Sequence, residues 1–271
     1  METGLLRDAL TLVVGLCSGV LSGAFGVGGA VISTPGIRLL GVSPLVAVGT
    51  TLPAILPSAL SGGLRYHTEG LLDWRAVALV APSGLLASIA GALLSGLVPG
   101  DGHLLQLAIA GLLGFSAWRM GTGRQGPSNA GEDGDGGTEQ GSTLPPRPVA
   151  RPAGVGVLAG ALSGLLGIGG GTSLVPGLAQ VGGLSLRTAV ATSLVCTGIF
   201  AVPGTVTHGL LGNIDWRVAL LLGVTVVPGA RLGVAASLRL GDRNLARAVA
   251  IFLGVIAVIY AVGESIALVG M

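Results

Sequence analysis

The sequence predicts an all-α integral membrane protein built from two pseudosymmetric repeats of about four helical segments each. Three observations carry that expectation. Hydrophobic residues make up 51% of the 271 residues and charged residues only 10%, with a mean hydropathy of +0.85, whereas soluble domains carry about a quarter charged residues. A small-residue signature occurs twice: Gly15, Gly19, Ser22, Gly23, Gly26, Gly28, Gly29, Pro35 and Gly36 match Gly156, Gly160, Ser163, Gly164, Gly167, Gly169, Gly170, Pro176 and Gly177 at a constant offset of 141 (156 − 15). A second match follows one inserted residue later, Ala47, Thr50, Thr51 and Leu52 against Ala189, Thr192, Ser193 and Leu194, then Asp73-Trp74-Arg75 against Asp215-Trp216-Arg217. Duplicated units with helices interrupted at membrane depth are the sequence mark of secondary transporters.

Eight apolar segments can be read, at 9–37, 45–64, 76–98, 104–118, 154–182, 188–207, 218–240 and 246–269. A membrane crossing needs roughly 20 apolar residues, which most of these segments supply. Repeat 1 spans 1–120 and repeat 2 spans 154–271. Between them 121–153 is rich in Gly, Pro and Ser with an acidic cluster of Glu132, Asp133, Asp135 and Glu139, a composition that reads as a flexible polar linker.

The first segment of each repeat is too long for one crossing and is broken by glycines near its middle. It either crosses, giving parallel repeats, or enters and leaves on one side, giving inverted ones. Positive residues accumulate in cytoplasmic loops. Re-entrant first segments put Arg65, Arg75, Arg119, Arg124, Arg147, Arg151, Arg187, Arg239, Arg243 and Arg247 on one side, opposite Arg7, Arg38 and Arg217. Eight simple crossings give the weaker bias of eight to five. The sequence therefore favours inverted repeats with a cytoplasmic linker. The apolar run near the N-terminus passes straight into the glycine motif, so a cleaved signal peptide is not expected.

The candidate chemistry lies at matched positions. Gly26-Val27-Gly28-Gly29 and Gly167-Ile168-Gly169-Gly170-Gly171 each sit between two helical stretches. Glycine there admits close approach to the main chain, and the amides opening the next half-helix attract an anion. Gly15, Gly19 and Gly23 recur every four residues and read as helix packing instead. Thr50, Thr51, Thr192 and Ser193 offer hydroxyl donors to sulfonate or carboxylate oxygens, or bond back to the preceding turn. Arg231 lies thirteen residues after Val218 and matches Ile89 in repeat 1. A guanidinium at that depth marks either a forked anion partner or a side chain snorkelling to the interface. His67 and His208 precede the Asp-Trp-Arg triplets and either carry a coupling proton or sit in the interfacial belt beside Trp74 and Trp216.

Other classes fit less well. A net charge of +2 gives no reason to expect nucleic acid. All 14 basic residues are arginine, which removes a lysine-bearing phosphate loop and with it a built-in ATP motor. No carboxylate pair falls in an apolar segment and no His/Cys set has zinc spacing, so no cofactor, metal or enzyme activity is expected. Ser22-Gly23 or Ser163-Gly164 with His208 could imitate an intramembrane hydrolase, but that needs a base aimed at the serine.

The duplicated Gly-x-x-Ser-Gly-x-x-Gly-x-Gly-Gly-(Gly/Ala) followed by Pro, at Gly19–Pro35 and Gly160–Pro176, resembles the sulfite exporter TauE/SafE family. The elements from Gly70 to Trp74 and from Gly212 to Trp216, with Pro228-Gly229-Ala230, fit it too; Ala30 departs from the pattern by replacing the third glycine. The resemblance covers nearly all of the chain outside the linker. It implies a multi-pass protein of the bacterial inner membrane that transports small sulfur-containing anions, sulfite or sulfonates. A passive anion channel remains the alternative.

Overall fold

The computed structural model describes residues 2–94, 111, 114–115, 117–118, 150–166 and 170–269. Among these the chain is helical, with α1 at Glu2–Phe25, α2 at Ala30–Leu39, α3 at Pro44–Thr68 and α4 at Trp74–Leu94. After the linker come α5 at Ala150–Leu166, α6 at Gly171–Gln180, α7 at Leu186–Leu210, α8 at Trp216–Arg239 and α9 at Asp242–Val269. Gly167, Gly169 and most of the 104–118 segment and the linker lie outside the described residues. Four described helices are long and apolar enough to cross a membrane: Gly4–Phe25, Val46–Thr68, Leu186–Leu210 and Trp216–Arg239.

The helix bounds keep the sequence offsets. α6 starts and ends at the offset of 141 from α2 (171 − 30, 180 − 39), and α7 keeps the offset of 142 from α3 at both ends (186 − 44, 210 − 68). α5 begins inside the stretch assigned to the linker, because Pro152 falls in its first turn, where a missing N–H costs no helical bond.

Packing follows from where the small residues fall. Gly15, Gly19 and Gly23 of α1 lie against Leu222, Val226 and Ala230 of α8, so the two helices run parallel. A Cβ on Gly19 would stand 2.5 Å from the Val226 carbonyl oxygen. Their counterparts Gly156 and Gly160 of α5 lie against Val80 and Gly84 of α4. Small residues let backbones meet at this range, which is how helices associate where lipid removes the hydrophobic drive. The first helix of each repeat therefore packs on the fourth helix of the other, α1 on α8 and α5 on α4.

α2 folds back along α1: Gly29 sits beside Ser18 and Ser22, and Gly36 beside Val14. Gly177 of α6 sits beside Val155 of α5 in the same way. α3 and α7 are antiparallel, since the α7–α8 turn meets the start of α3 and the α3–α4 turn meets the start of α7. This gives the molecule two ends. The first holds the starts of α1, α3 and α8, with the Arg217–Asp8 ion pair. The second holds the starts of α4, α7 and α9, with Arg187 bonded to Asp242 at 2.6 Å and to carbonyls closing α8. Arg7, Arg38 and Arg217 fall at the first end, while Arg65, Arg75, Arg187, Arg239 and Arg243 fall at the second. The main core, from Val27 and Leu194 to Val249 and Leu253, gathers α3, α7, α8 and α9 around the first break, where Phe25 stacks on Phe252 at 4.7 Å.

Candidate functional site at the glycine breaks

α1 ends at Phe25 and α2 restarts at Ala30, because Gly26, Gly28 and Gly29 adopt φ of 69°, 81° and 70°. Left-handed backbone of this kind is reached freely only by glycine. Gly170, the repeat counterpart of Gly29, caps α6 with φ of 61°. Neither N-cap glycine has a side-chain cap, so the first amides of both half-helices rely on backbone or on whatever approaches them.

The breaks meet in the middle of the fold. Gly28 is wedged between Thr197 and Ile55, which lie midway along α7 and α3. Gly171 abuts the Val27 carbonyl and Thr197 Oγ1. The Gly26 carbonyl accepts the Ser193 hydroxyl at 2.8 Å, tying the first break to α7 of the other repeat. The Gly29 carbonyl accepts Ser18 Oγ at 2.8 Å and Ser33 Oγ at 3.1 Å, and the Gly170 carbonyl accepts Ser173 Oγ at 2.9 Å.

A crevice lies beside the first break, lined by Ser18, Gly28, Gly29, Ser33, Thr51 and Ile55, and in this conformation it is too narrow to admit a water molecule. Thr51 lies 3.0 Å from Thr34 Oγ1 and donates to the Val48 carbonyl at 3.1 Å. Of the predicted residues, Gly28, Gly29 and Thr51 line the crevice, while Ser193 is bonded to the Gly26 carbonyl and Gly171 lies against the Val27 carbonyl.

The other predicted residues stand elsewhere. Thr50 Oγ1 accepts the Asp215 N–H at 2.9 Å and Thr192 Oγ1 accepts the Asp73 N–H at 3.3 Å, each across the two repeats. Arg231 is exposed, and its Nε donates to Ser61 Oγ of α3 at 3.2 Å rather than pointing to the crevice. His67 packs edge-on against Trp74 at 5.6 Å, in an apolar groove of about 310 Å³ between α3 and α7. His208 is half-buried at the first end with Nδ1 unpartnered. Ser22 Oγ accepts the Ser58 hydroxyl at 3.0 Å. Among the described residues no three His, Cys, Asp or Glu side chains gather into a metal-sized group.

Sequence reasoning missed Ser18, Ser33 and Thr197. Their counterparts at the repeat offsets are Ala159, Leu174 and Ile55, so a search for duplicated polar positions passes over them. For Ser33 the available signal was a hydroxyl one turn after Gly29, whereas Ser18 and Thr197 lie more than a turn from either glycine cluster in sequence.

Three comparisons bear on this geometry. A family description, sulfite exporter TauE/SafE, matches residues 11–260. A probable membrane transporter protein of Bacillus subtilis, YunE, is 27% identical over 248 residues, covering 87% of this chain and 90% of the relative. Another, from Xylella fastidiosa, is 29% identical over 229 residues, covering 84% and 82%. An archaeal one, from Methanocaldococcus jannaschii, is 24% identical over 267 residues and covers 93% and 94%. No solved structure matches the chain.

Proposed function

Because the chain belongs to the sulfite exporter TauE/SafE family and is a multi-pass membrane transporter, we propose that it carries small sulfur-containing anions, sulfite or a sulfonate, by alternating access. One observation carries the reading. Two half-helices that start at left-handed glycines meet midway along the core helices, with Gly171 against the Val27 carbonyl. Half-helix N-termini carry a partial positive charge that attracts an anion, and broken backbone at membrane depth is tolerated where it lines a cavity.

In this reading the repeats are inverted and the α1–α2 and α5–α6 hairpins are re-entrant. The back-folding of α2 on α1 and the antiparallel α3 and α7 support it. The arginine-rich second end is then the cytoplasmic one, in a bacterial inner membrane. Gly26, Gly28, Gly29 and Gly167, Gly169, Gly170, Gly171 supply main-chain groups, and Thr51 and Ser193 supply hydroxyls. Arg231 acts as a tie between α8 and α3 that adds positive field. Of the two histidines, His208, with its buried unpartnered nitrogen, is the better candidate for a coupling proton. The narrow crevice favours a gated carrier over an open channel.

The test is a thermal-shift screen of the purified protein with sulfite, thiosulfate, sulfoacetate, taurine and simple carboxylates, followed by flux in proteoliposomes. Stabilisation by a sulfur oxyanion with saturable flux is expected. No stabilisation by any anion overturns the assignment, and non-saturating flux would move it to a channel.

A further inference from the structure

Two hydrogen bonds join the repeats at opposite ends of the molecule, and each is the other's counterpart. Thr50 Oγ1 in α3 accepts the amide of Asp215, and Thr192 Oγ1 in α7 accepts the amide of Asp73. The two threonines are related by the same offset of 142 as the two aspartates (192 − 50, 215 − 73). Both threonines are fully buried. Each aspartate also starts a helix: Asp73 Oδ1 accepts from Ala76 N at 3.0 Å and Asp215 Oδ1 accepts from Val218 N at 3.2 Å. A pull on either bond is thus passed to the start of α4 or α8, and those helices are locked to α5 and α1 by the glycine contacts.

We infer that these bonds are the two gate latches of the carrier, Thr50–Asp215 closing the first end and Thr192–Asp73 closing the second, with one opening while the other stays shut and acts as the pivot. The inference rests on the alternating-access reading above and gives two of the duplicated hydroxyls a use other than ligand contact. Three features support it. The latches flank the midway crossing of the glycine breaks, one towards each end. Each is a neutral hydrogen bond of modest net strength, set where a turn from one repeat meets a helix from the other, so it opens without unpacking the parallel α1–α8 and α4–α5 pairs. With both latches made, the central crevice is closed even to water, the state such a carrier passes through between its open forms.

The test reads shape and needs no substrate. Cys17 and Cys196 are removed as Cys17→Ser and Cys196→Ala, and Ile55→Cys places a reporter on the crevice wall midway along α3. A membrane-impermeant maleimide is then applied to sealed vesicles of each orientation. Thr50→Val should speed labelling from the first end about tenfold and leave the second unchanged, Thr192→Val should do the reverse, and Thr50→Ser, which keeps the acceptor, should behave as the parent. Labelling that rises from the same end in both variants, or in neither, overturns the proposal. Should a valine variant misfold, hydrogen exchange on the wild-type protein decides. The Asp73 and Asp215 amides should exchange about tenfold faster than that of Leu194 in the core, and equal protection would make both bonds static ties. Side-specific labelling without anion binding would leave the latches standing and remove only the substrate assignment.

Discussion

The two halves of the molecule share a backbone plan and differ in what they show at their breaks. In the first repeat Ser18 and Ser33 both donate to the Gly29 carbonyl, and Thr51 faces the same crevice. At the matching offsets the second repeat has Ala159, buried at 1% exposed, and Leu174, with no exposed surface, packed with Val80 and Phe200 in an apolar cluster. Ser58, which bonds Ser22, is matched by Phe200 itself, and Ser61, which bonds Arg231, by Pro203. Duplication kept the features that set the path of the chain, namely the left-handed glycines, the N-capping aspartates and the small residues at helix contacts. It did not keep the side chains that decide what the cavity wall offers. The two breaks thus repeat one backbone path with different side chains beside it.

That contrast can be attacked in order of expected effect. Gly28→Ala places a Cβ at φ of 81° and against Thr197. It should cost about 3 kcal/mol, left-handed strain plus overpacking, seen as a lower unfolding midpoint in detergent with flux lost. Gly41→Ala, at φ of 87° with open space around it, should cost only about 1 kcal/mol. Equal losses would mean that the close approach at the break does not matter.

Next is Ser18→Ala, which removes one donor from the Gly29 carbonyl. It should weaken anion affinity about tenfold, the worth of a lost hydrogen bond at a site that is otherwise intact. The mirror change Ala159→Ser should leave affinity within about twofold, measured by the same thermal-shift titration. Matching effects from both would erase the difference between the two breaks.

Arg231→Gln follows. Loss of its bond to Ser61 should lower stability by about 1 kcal/mol while anion affinity falls less than about threefold, because the guanidinium does not line the crevice. A large fall in affinity with unchanged stability would return Arg231 to the site. Smallest of all, His67→Phe should leave the proton dependence of flux unchanged within about twofold, since the ring packs on Trp74 away from the breaks. A lost proton dependence would reverse the preference for His208.

Much of this architecture could be read before any coordinates. The glycine clusters announced the breaks, and the four-residue spacing of Gly15, Gly19 and Gly23 announced a helix contact, because both signals are local in the chain. The partner of that contact, α8, was not legible. Nor was the use of Thr50 and Thr192, whose acceptor role depends on an amide 165 and 119 residues away in sequence. Arg231 stood out by its depth in an apolar segment, yet which neighbour its Nε meets depends on how α8 lies against α3.

The chain alone determined that the protein is helical, membrane-spanning and duplicated, and where its helices break, since hydropathy, periodicity and glycine's freedom at positive φ act over a few residues at a time. Only the folded structure decided which hydroxyls face the crevice, which ones clasp the opposite repeat, and that the cavity is shut. Those outcomes depend on the meeting of segments more than a hundred residues apart, for which no local pattern holds a record.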